Sequence, residues 1–154
     1  MKPIIGVFLV AALLITLAAC APKIRVDSLE ETEYTNLEDT GIVMSVADES
    51  VTTDTPSLTI EYTNQTDVEY VYGLEPHLEI QKEGIWYVIP LREDAAWNDI
   101  GLILPPDGTS EEDFSLEYFY EGLIPGHYRV IKTLYADGNG VTAAAEFDIA
   151  ESNN

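Results

Sequence analysis

The chain has 154 residues, of which 46% are hydrophobic, so it can form one ordinary domain with a filled core but hardly two. Its 28 acidic residues against 7 basic ones give a formal net charge of −21, and this field repels phosphate and argues against nucleic acid as a partner. Cys20 is the sole cysteine, which excludes an intrachain disulfide and leaves the fold dependent on packing.

The first twenty residues predict an export signal. Lys2 precedes an apolar run, residues 4–19, that is shorter than the roughly 20 residues needed to span a bilayer. The run ends in Leu17-Ala18-Ala19-Cys20, which resembles a bacterial lipobox. This resemblance implies that residues 1–19 are a lipoprotein signal peptide and that Cys20 carries the acyl chains that hold the protein on the membrane. The alternative is an ordinary secretory signal with an incidental cysteine.

The expected location is the extracytoplasmic face of the cell membrane. Ala21 and Pro22 follow the cysteine, and no aspartate stands there to favour retention at an inner membrane. In a host with two membranes, the sequence therefore favours the outer one.

Residues 20–40 are predicted to form an acidic, flexible tether after the lipidated cysteine. They contain six acidic side chains, few large apolar ones and no usable periodicity. A coil of this length reaches on the order of 25 Å, enough to hold a domain clear of the membrane. A short amphipathic helix is the alternative for this stretch.

Residues 41–150 alternate between apolar and polar side chains in short runs, a pattern typical of half-buried strands. Turns are expected at Glu83-Gly84 and at Asp137-Gly138-Asn139-Gly140, where glycine and asparagine accept positive φ. The pattern predicts an all-β, immunoglobulin-like antiparallel β-sandwich of about seven to nine strands, followed by a disordered tail over residues 151–154. Nine strands are expected, at residues 42–47, 58–63, 70–72, 78–81, 85–89, 100–104, 113–118, 128–135 and 143–149.

A tight corner precedes the penultimate strand. Pro125 and Gly126 form the turn, and Tyr128 follows at the start of the strand. In immunoglobulin-type sandwiches a tyrosine at this place returns its hydroxyl to the backbone of the corner. The sequence therefore predicts that Pro125, Gly126 and Tyr128 form a structural tyrosine corner.

Several short motifs follow one another in a fixed order along the predicted strands. They are Thr63-Asn64-Gln65-Thr66-Asp67, Tyr70, Tyr72-Gly73, Leu78-Glu79-Ile80, Gly84-Ile85-Trp86-Tyr87, Trp97, Ile100-Gly101, Leu104-Pro105-Pro106 and Leu123 to Lys132. With these motifs the chain resembles a bacterial Ig-like domain family found in small lipoproteins and envelope proteins, mainly of Bacillota. The resemblance covers roughly residues 41–149 and implies an extracytoplasmic Ig-like fold, without an established activity or catalytic residues. The proline-glycine-tyrosine corner also resembles small bacterial β-sandwich proteinase inhibitors.

The residues indicate no catalytic or metal site. The two histidines, His77 and His127, are expected to be unrelated surface residues, and no serine lies in a nucleophile elbow. The segment 137–140 offers oxygen ligands for calcium but lacks a downstream bidentate glutamate, so a hairpin turn is the simpler interpretation. Weak calcium binding elsewhere on the acidic surface stays open, and no cofactor is predicted.

Aromatic side chains supply the one candidate ligand site. A platform for a saccharide or a peptide is one interpretation, and core or cross-strand packing is the other. The candidate platform consists of Tyr70, Tyr72, Trp86, Tyr87 and Trp97.

The sequence therefore predicts a non-enzymatic, lipid-anchored binding or accessory module with an envelope protein or a cell-wall ligand as partner. The alternative is a proteinase inhibitor that presents residues 92–99 or the turn 105–108 to a protease. A third interpretation is an acidic spacer without a ligand, whose charge keeps an exported protein soluble.

Overall fold

The structure, a computed structural model, describes residues 22–152. The predicted signal peptide, Cys20 and the last two residues of the predicted tail lie outside the described residues. Within residues 22–152 no helix is long and apolar enough to cross a bilayer.

Two β-sheets pack face to face and enclose one apolar core, which confirms the predicted immunoglobulin-like β-sandwich. A 3₁₀ turn at Val26–Ser28 precedes the first strand, and one short helix, α1 (Leu116–Phe119), lies between the eighth and ninth strands. The strands among the described residues are β1 (Ile42–Val46), β2 (Val51–Thr52), β3 (Ser57–Asn64), β4 (Tyr70–Tyr72), β5 (Leu78–Lys82), β6 (Ile85–Val88), β7 (Leu102–Leu104), β8 (Thr109–Ser115), β9 (Gly126–Ala136) and β10 (Asn139–Ala150).

The smaller sheet has the order β1-β3-β8, and the larger has the order β2-β10-β9-β4-β7. Strand β5 also pairs with β9, beside β4, and carries β6 on its other side. All pairs are antiparallel except β2 with β10, which are parallel. The two-residue strand β2 is the addition to the nine expected strands, and it is too short to produce an alternating pattern.

The core follows the alternation of the sequence. In β3 the side chains of Leu58, Ile60 and Tyr62 are buried while those between them are exposed or half-buried. Val130 and Leu134 of β9 face them from the larger sheet, also fully buried. Each such leucine, isoleucine or valine contributes roughly 1.5–3 kcal/mol to folding by leaving water, which makes this inner layer the main source of stability.

Two hairpins close with residues that accept the left-handed backbone region. Glu83 and Gly84 have φ of 53° and 83°, and Asp137 and Gly138 have φ of 49° and 79°. Two successive positive φ angles match the twist of adjacent antiparallel strands, so both loops need only two residues.

The prediction of a strand over residues 113–118 is wrong at its C-terminal end. Strand β8 stops at Ser115, whose side-chain oxygen accepts a hydrogen bond from the Tyr118 backbone N–H and so caps α1. Leu116 is buried and Tyr118 is 51% exposed, so these two side chains do not share one face as they would in a strand. Both belong to a single helical turn instead.

The N-terminal strap (residues 22–40) lies along the outer face of the larger sheet. Ile24, Val26 and Leu29 pack against the core. The segment pairs with the edge of β6: the Val88 N–H donates to the Glu30 carbonyl, and the Thr32 N–H of the strap donates to the Trp86 carbonyl. This placement differs from the expected free tether, because a few apolar side chains and edge hydrogen bonds suffice to dock an otherwise acidic segment.

The corner before β9 has the hydrogen bonds of a tyrosine corner. The Tyr128 hydroxyl donates to the Ile124 carbonyl at 2.7 Å and accepts from the Ile124 N–H at 3.3 Å. Tyr128 is fully buried, and this burial raises the pKa of its hydroxyl to about 12. Pro125 is exposed and Gly126 half-buried, so the turn itself lies at the surface.

Replacing Tyr128 by phenylalanine removes this hydroxyl and leaves the Ile124 carbonyl without its partner. We expect the free energy of unfolding to fall by about 1–2 kcal/mol, measured by urea denaturation with an unchanged m-value. Tyr135→Phe is the matched control, because Tyr135 is 54% exposed and lies on the outer face of the same strand. Equal effects of the two substitutions would contradict a structural role for the corner.

Candidate functional site

A buried ion pair crosses the interior between the two sheets. The Lys132 ammonium donates to the Glu112 carboxylate at 3.1 Å, and Tyr62 donates to the same carboxylate at 2.6 Å. Lys132 also donates to the backbone carbonyls of Gly73 and Glu75, each at 3.1 Å. Burial lowers the pKa of Lys132, although the nearby Glu112 charge opposes that shift. These groups satisfy one another, so the pair links the sheets.

A second buried pair lies on the opposite, outer face of the larger sheet. The Glu79 carboxylate is fully buried and accepts from the Arg129 guanidinium at 2.6 Å. It also accepts from the Thr32 hydroxyl of the strap and contacts His77 Nε2 at 2.8 Å. Arg129 donates a further bond to the Tyr34 carbonyl at 2.8 Å.

The charge of Glu79 is retained in spite of its burial. Burial alone would raise the pKa of this carboxyl, but hydrogen bonds from His77, Thr32 and Arg129 outweigh it and hold the pKa below its ordinary value. The network of Thr32, His77, Glu79 and Arg129, here called the strap lock, therefore fixes residues 32–34 to strands β5 and β9.

An aromatic side chain covers the outer end of the strap lock. The Arg129 guanidinium carbon lies 4.3 Å from the centre of the Trp86 ring, a cation–π contact. Trp86 also lies near His127, with 5.5 Å between ring centres. His127 Nδ1 lies 2.8 Å from Asp148 and Nε2 lies 2.9 Å from Glu146, and these two carboxylates raise the pKa of the imidazole.

A cavity of about 480 Å³ opens between the strap, strand β9 and the segments at residues 73–77 and 97–99. Tyr34 forms one wall, with its ring edge-on to His77 at 5.4 Å between ring centres. Three carboxylate-bearing residues, Glu33, Glu75 and Asp99, lie on its rim and are exposed. The lining residues are Glu33, Tyr34, Gly73, Leu74, Glu75, His77, Trp97, Asn98, Asp99, Ile131, Lys132, Thr133 and Tyr135.

The five aromatic residues of the candidate platform do not come together. Tyr70 and Tyr72 are buried in the core, where the Tyr72 ring lies 4.5 Å from that of Tyr62. Trp86 covers Arg129, and Tyr87 forms an isolated bridge with Glu31 of the strap. Only Trp97, which is 41% exposed, lies at the cavity. Strand alternation decides this outcome, because Tyr70 and Tyr72 share the inner face.

The other sequence candidates are separated in the same way. His77 belongs to the strap lock, whereas His127 lies at the β9–β10 surface. Residues 137 and 138 form the hairpin turn expected in place of a calcium loop. Within residues 22–152 no three histidine, cysteine or acidic side chains are grouped to hold a metal ion.

Sequence reasoning missed the two buried ion pairs. The available signal was the placement of Arg129 and Lys132, two of only seven basic residues, inside a strand flanked by apolar side chains. A buried basic residue needs an acidic partner, but 28 acidic residues offered no means of choosing Glu79 and Glu112.

Comparison with known proteins identifies a family over most of the chain. A family model described as a bacterial Ig-like domain matches residues 38–148. Among solved structures, the chain is similar to the ASH / PapD-like domain of human CEP192 (PapD-like domain 7) at 12% identity and a TM-score of 0.37. That alignment covers 86% of this chain and 99% of the other. A search of curated proteins finds no match.

Glu79→Gln should destabilise the protein strongly, because it leaves the Arg129 charge buried without its counter-ion. We expect a loss of about 3–5 kcal/mol in the free energy of unfolding, measured by urea denaturation at pH 7. The lowered pKa of Glu79 means that its contribution is present above the ordinary value of 4.5 and is lost as the pH falls through the folded-state value. The variant should therefore lose less stability than the wild type on acidification below that point.

The control for this prediction is Asp94→Asn, which breaks an ion pair with Arg92 (3.3 Å) whose acidic side chain is 79% exposed. Such a solvated pair contributes little, and we expect almost no change. A Glu79→Gln variant as stable as Asp94→Asn, with the same acid profile as the wild type, would contradict the strap lock.

Proposed function

The chain belongs to the bacterial Ig-like domain family, and from this membership we propose that it is a non-enzymatic binding or accessory module. Acyl chains on Cys20 hold it on the extracytoplasmic face of the cell membrane, and its partner is an envelope protein or a cell-wall ligand. The observation that carries this proposal is the cavity between strap and sheet, together with the lipobox-like Leu17-Ala18-Ala19-Cys20.

The buried carboxylates are occupied by hydrogen-bond donors of the protein itself, which supports a binding role over catalysis. Within the described residues, Glu79 and Glu112 are engaged by arginine, lysine, tyrosine or histidine donors. A general acid or base must exchange a proton with a substrate, and groups held in this way stabilise the fold instead. The cavity offers exposed carboxylates and aromatic rings, which suit recognition.

The path of the strap supports a defined orientation on the membrane. Ile24 N–H donates to the Gly122 carbonyl at 2.9 Å, so the strap begins against the corner that precedes β9. Gly122 has φ of 67°, and a Cβ at this position would lie 2.1 Å from the Pro22 carbonyl oxygen, so only glycine permits the approach. Ala21 alone separates Pro22 from Cys20 in the sequence, so acyl chains on Cys20 would be attached within two residues of this corner.

The cavity then lies toward the end of β9 that is distant from the proposed anchor. Strand β9 starts near the corner at Gly126 and ends at Ala136, a distance of about 33 Å at the usual rise per residue. Ile131, Thr133 and Tyr135, which line the cavity, belong to the distal half of that strand. A partner in the surrounding space therefore reaches the cavity without displacing the anchor.

The alternative of a proteinase inhibitor receives less support. Trp97, Asn98 and Asp99 of the first candidate loop line the cavity instead of standing free. The second candidate loop, residues 105–108, is held by Asn64, whose side-chain amide donates to the Pro105 carbonyl at 2.9 Å. Part of the first segment is thus used by the cavity, and assays against a panel of proteases should show no inhibition.

Cys20→Ser should release the protein from the membrane, because the serine hydroxyl cannot form the thioether to the diacylglyceryl group. We expect the wild type in the detergent phase after phase partitioning and the variant in the aqueous phase. Mass spectrometry of the wild-type N-terminus should show acylated Cys20. A wild type in the aqueous phase, or an unmodified Cys20, would refute the lipid anchor.

The proposed orientation of the domain on the membrane predicts that the two ends of β9 lie at different distances from the lipid surface. In the lipidated protein, a fluorophore on Glu121→Cys, beside the corner, should be quenched by nitroxide-labelled lipid headgroups. The same fluorophore on Asn139→Cys, at the far hairpin, should be quenched much less, because about 33 Å of strand separates the two ends. Equal quenching at both positions would mean that the domain has no fixed orientation.

A further inference from the structure

Apolar side chains are concentrated at one border of the larger sheet. Val71 pairs with both Ile103 and Tyr135 in the strand registers, so these three side chains form one row on the outer face. They are 41%, 58% and 54% exposed. Ile100 (49%) precedes β7 in the chain and Trp97 (41%) lies at the neighbouring cavity. These five residues, Val71, Trp97, Ile100, Ile103 and Tyr135, are called the edge patch.

The concentration is uneven enough to require an explanation. Within residues 22–152 nine large hydrophobic residues are exposed, and five of them belong to the edge patch. Single exposed apolar residues are ordinary, whereas a contiguous group on a soluble domain marks an interaction surface. The patch also ends at β7, which is the last strand of the sheet order and has no partner on its outer edge within residues 22–152.

The edge patch continues directly into the cavity. Tyr135 and Trp97 belong to both, and Tyr34 closes the cavity on the strap side. Aromatic faces bind cations through their π-systems, in addition to apolar groups. The combined surface therefore offers an apolar row followed by an aromatic recess.

The charges around this surface have one sign. Glu33, Glu75 and Asp99 lie on the cavity rim, and within the described residues none of them forms a salt bridge. Lys132 also lines the cavity, but its ammonium is directed to Glu112 and to two backbone carbonyls. The cavity therefore presents unneutralised negative charge beside the apolar row.

We propose that the edge patch and the adjoining cavity form a docking surface for an extended, cationic polypeptide segment. Apolar side chains of the segment cover Val71 and Ile103, and a lysine or arginine side chain enters the cavity between Tyr34, Trp97 and the three carboxylates. This inference deepens the proposed binding function and rests on it.

Charge complementarity selects this occupant over the alternatives. A second copy of the chain carries the same formal charge of −21 and would bring like charges together. An anionic lipid surface is repelled for the same reason. An extended segment also suits the outer edge of β7, where backbone groups are available to a further strand.

The test uses the full chain as the cell makes it, placed in phosphatidylcholine nanodiscs. Isothermal titration measures binding of the capped hexapeptide acetyl-Val-Lys-Val-Lys-Val-Thr-amide, and empty nanodiscs give the background. We expect saturable binding that weakens with salt, since exposed charges are screened. The same peptide with both lysines Nε-acetylated should bind at least about tenfold more weakly, because the cation–π and ionic contacts are lost.

Matched double variants separate the two parts of the surface. Glu75→Gln with Asp99→Asn should weaken binding about tenfold, whereas Glu111→Gln with Asp113→Asn, an equal loss of charge on the other sheet, should change it less than about twofold. Val71→Thr with Ile103→Thr should also weaken binding. Its control is Val43→Thr with Ile85→Thr, which removes apolar groups of similar exposure elsewhere.

Three results would overturn the proposal: no binding of the lysine peptide at millimolar concentration, equal binding of the acetylated peptide, or equal effects of the matched doubles. Binding of propylammonium as tightly as the peptide would also overturn it, since the apolar row would then contribute nothing. Membrane fractionation of the producing cells reports separately on the Cys20 anchor, so failure of the docking surface and failure of the anchored module are distinguishable.

Discussion

The contact between Glu79 and Arg129 joins strands β5 and β9 to the N-terminal strap on the outer face of the larger sheet. Arg129 belongs to β9, the strand at the centre of the larger sheet, and Glu79 belongs to β5. Thr32 and the Tyr34 carbonyl add the strap to the same network. A buried pair of this kind is weak evidence for stability by itself, because desolvation offsets the attraction, but it penalises arrangements in which either charge loses its partner. The position of the strap follows from that penalty.

The strap changes how a lipid anchor relates to the domain. A free acidic coil would let the sandwich turn in any direction above the membrane. The docked strap begins against the corner at Gly122 and forms one wall of the cavity through Tyr34, so the proposed anchor would be tied to that corner. The proposed orientation and the proposed recognition therefore depend on the same segment, and disturbing the network around Glu79 should affect both.

The two buried pairs have different structural roles. Lys132 and Glu112 lie between the sheets and, with Tyr62, connect β9 to β8 and β3. Together with the Tyr128 hydroxyl at the corner, they supply the polar links of a sandwich whose single cysteine, Cys20, lies outside the domain. Apolar burial provides most of the stability, and these polar contacts select one register and one corner geometry.

The sequence by itself determined the local features of the fold. Alternation predicted the strands, and glycines at positions 84 and 138 predicted the hairpin turns. Pro125 and Gly126 predicted the corner and, with it, the structural role of Tyr128. Strand alternation, hairpin glycines and this corner could all be predicted because each depends only on residues that are close together in the chain. Contacts between distant segments were decided only by the tertiary structure. The docked strap, the pairing of Glu79 with Arg129 and the meeting of Trp97 with Tyr34 at one cavity join residues far apart in the chain, and alternation cannot specify which distant partner each side chain meets.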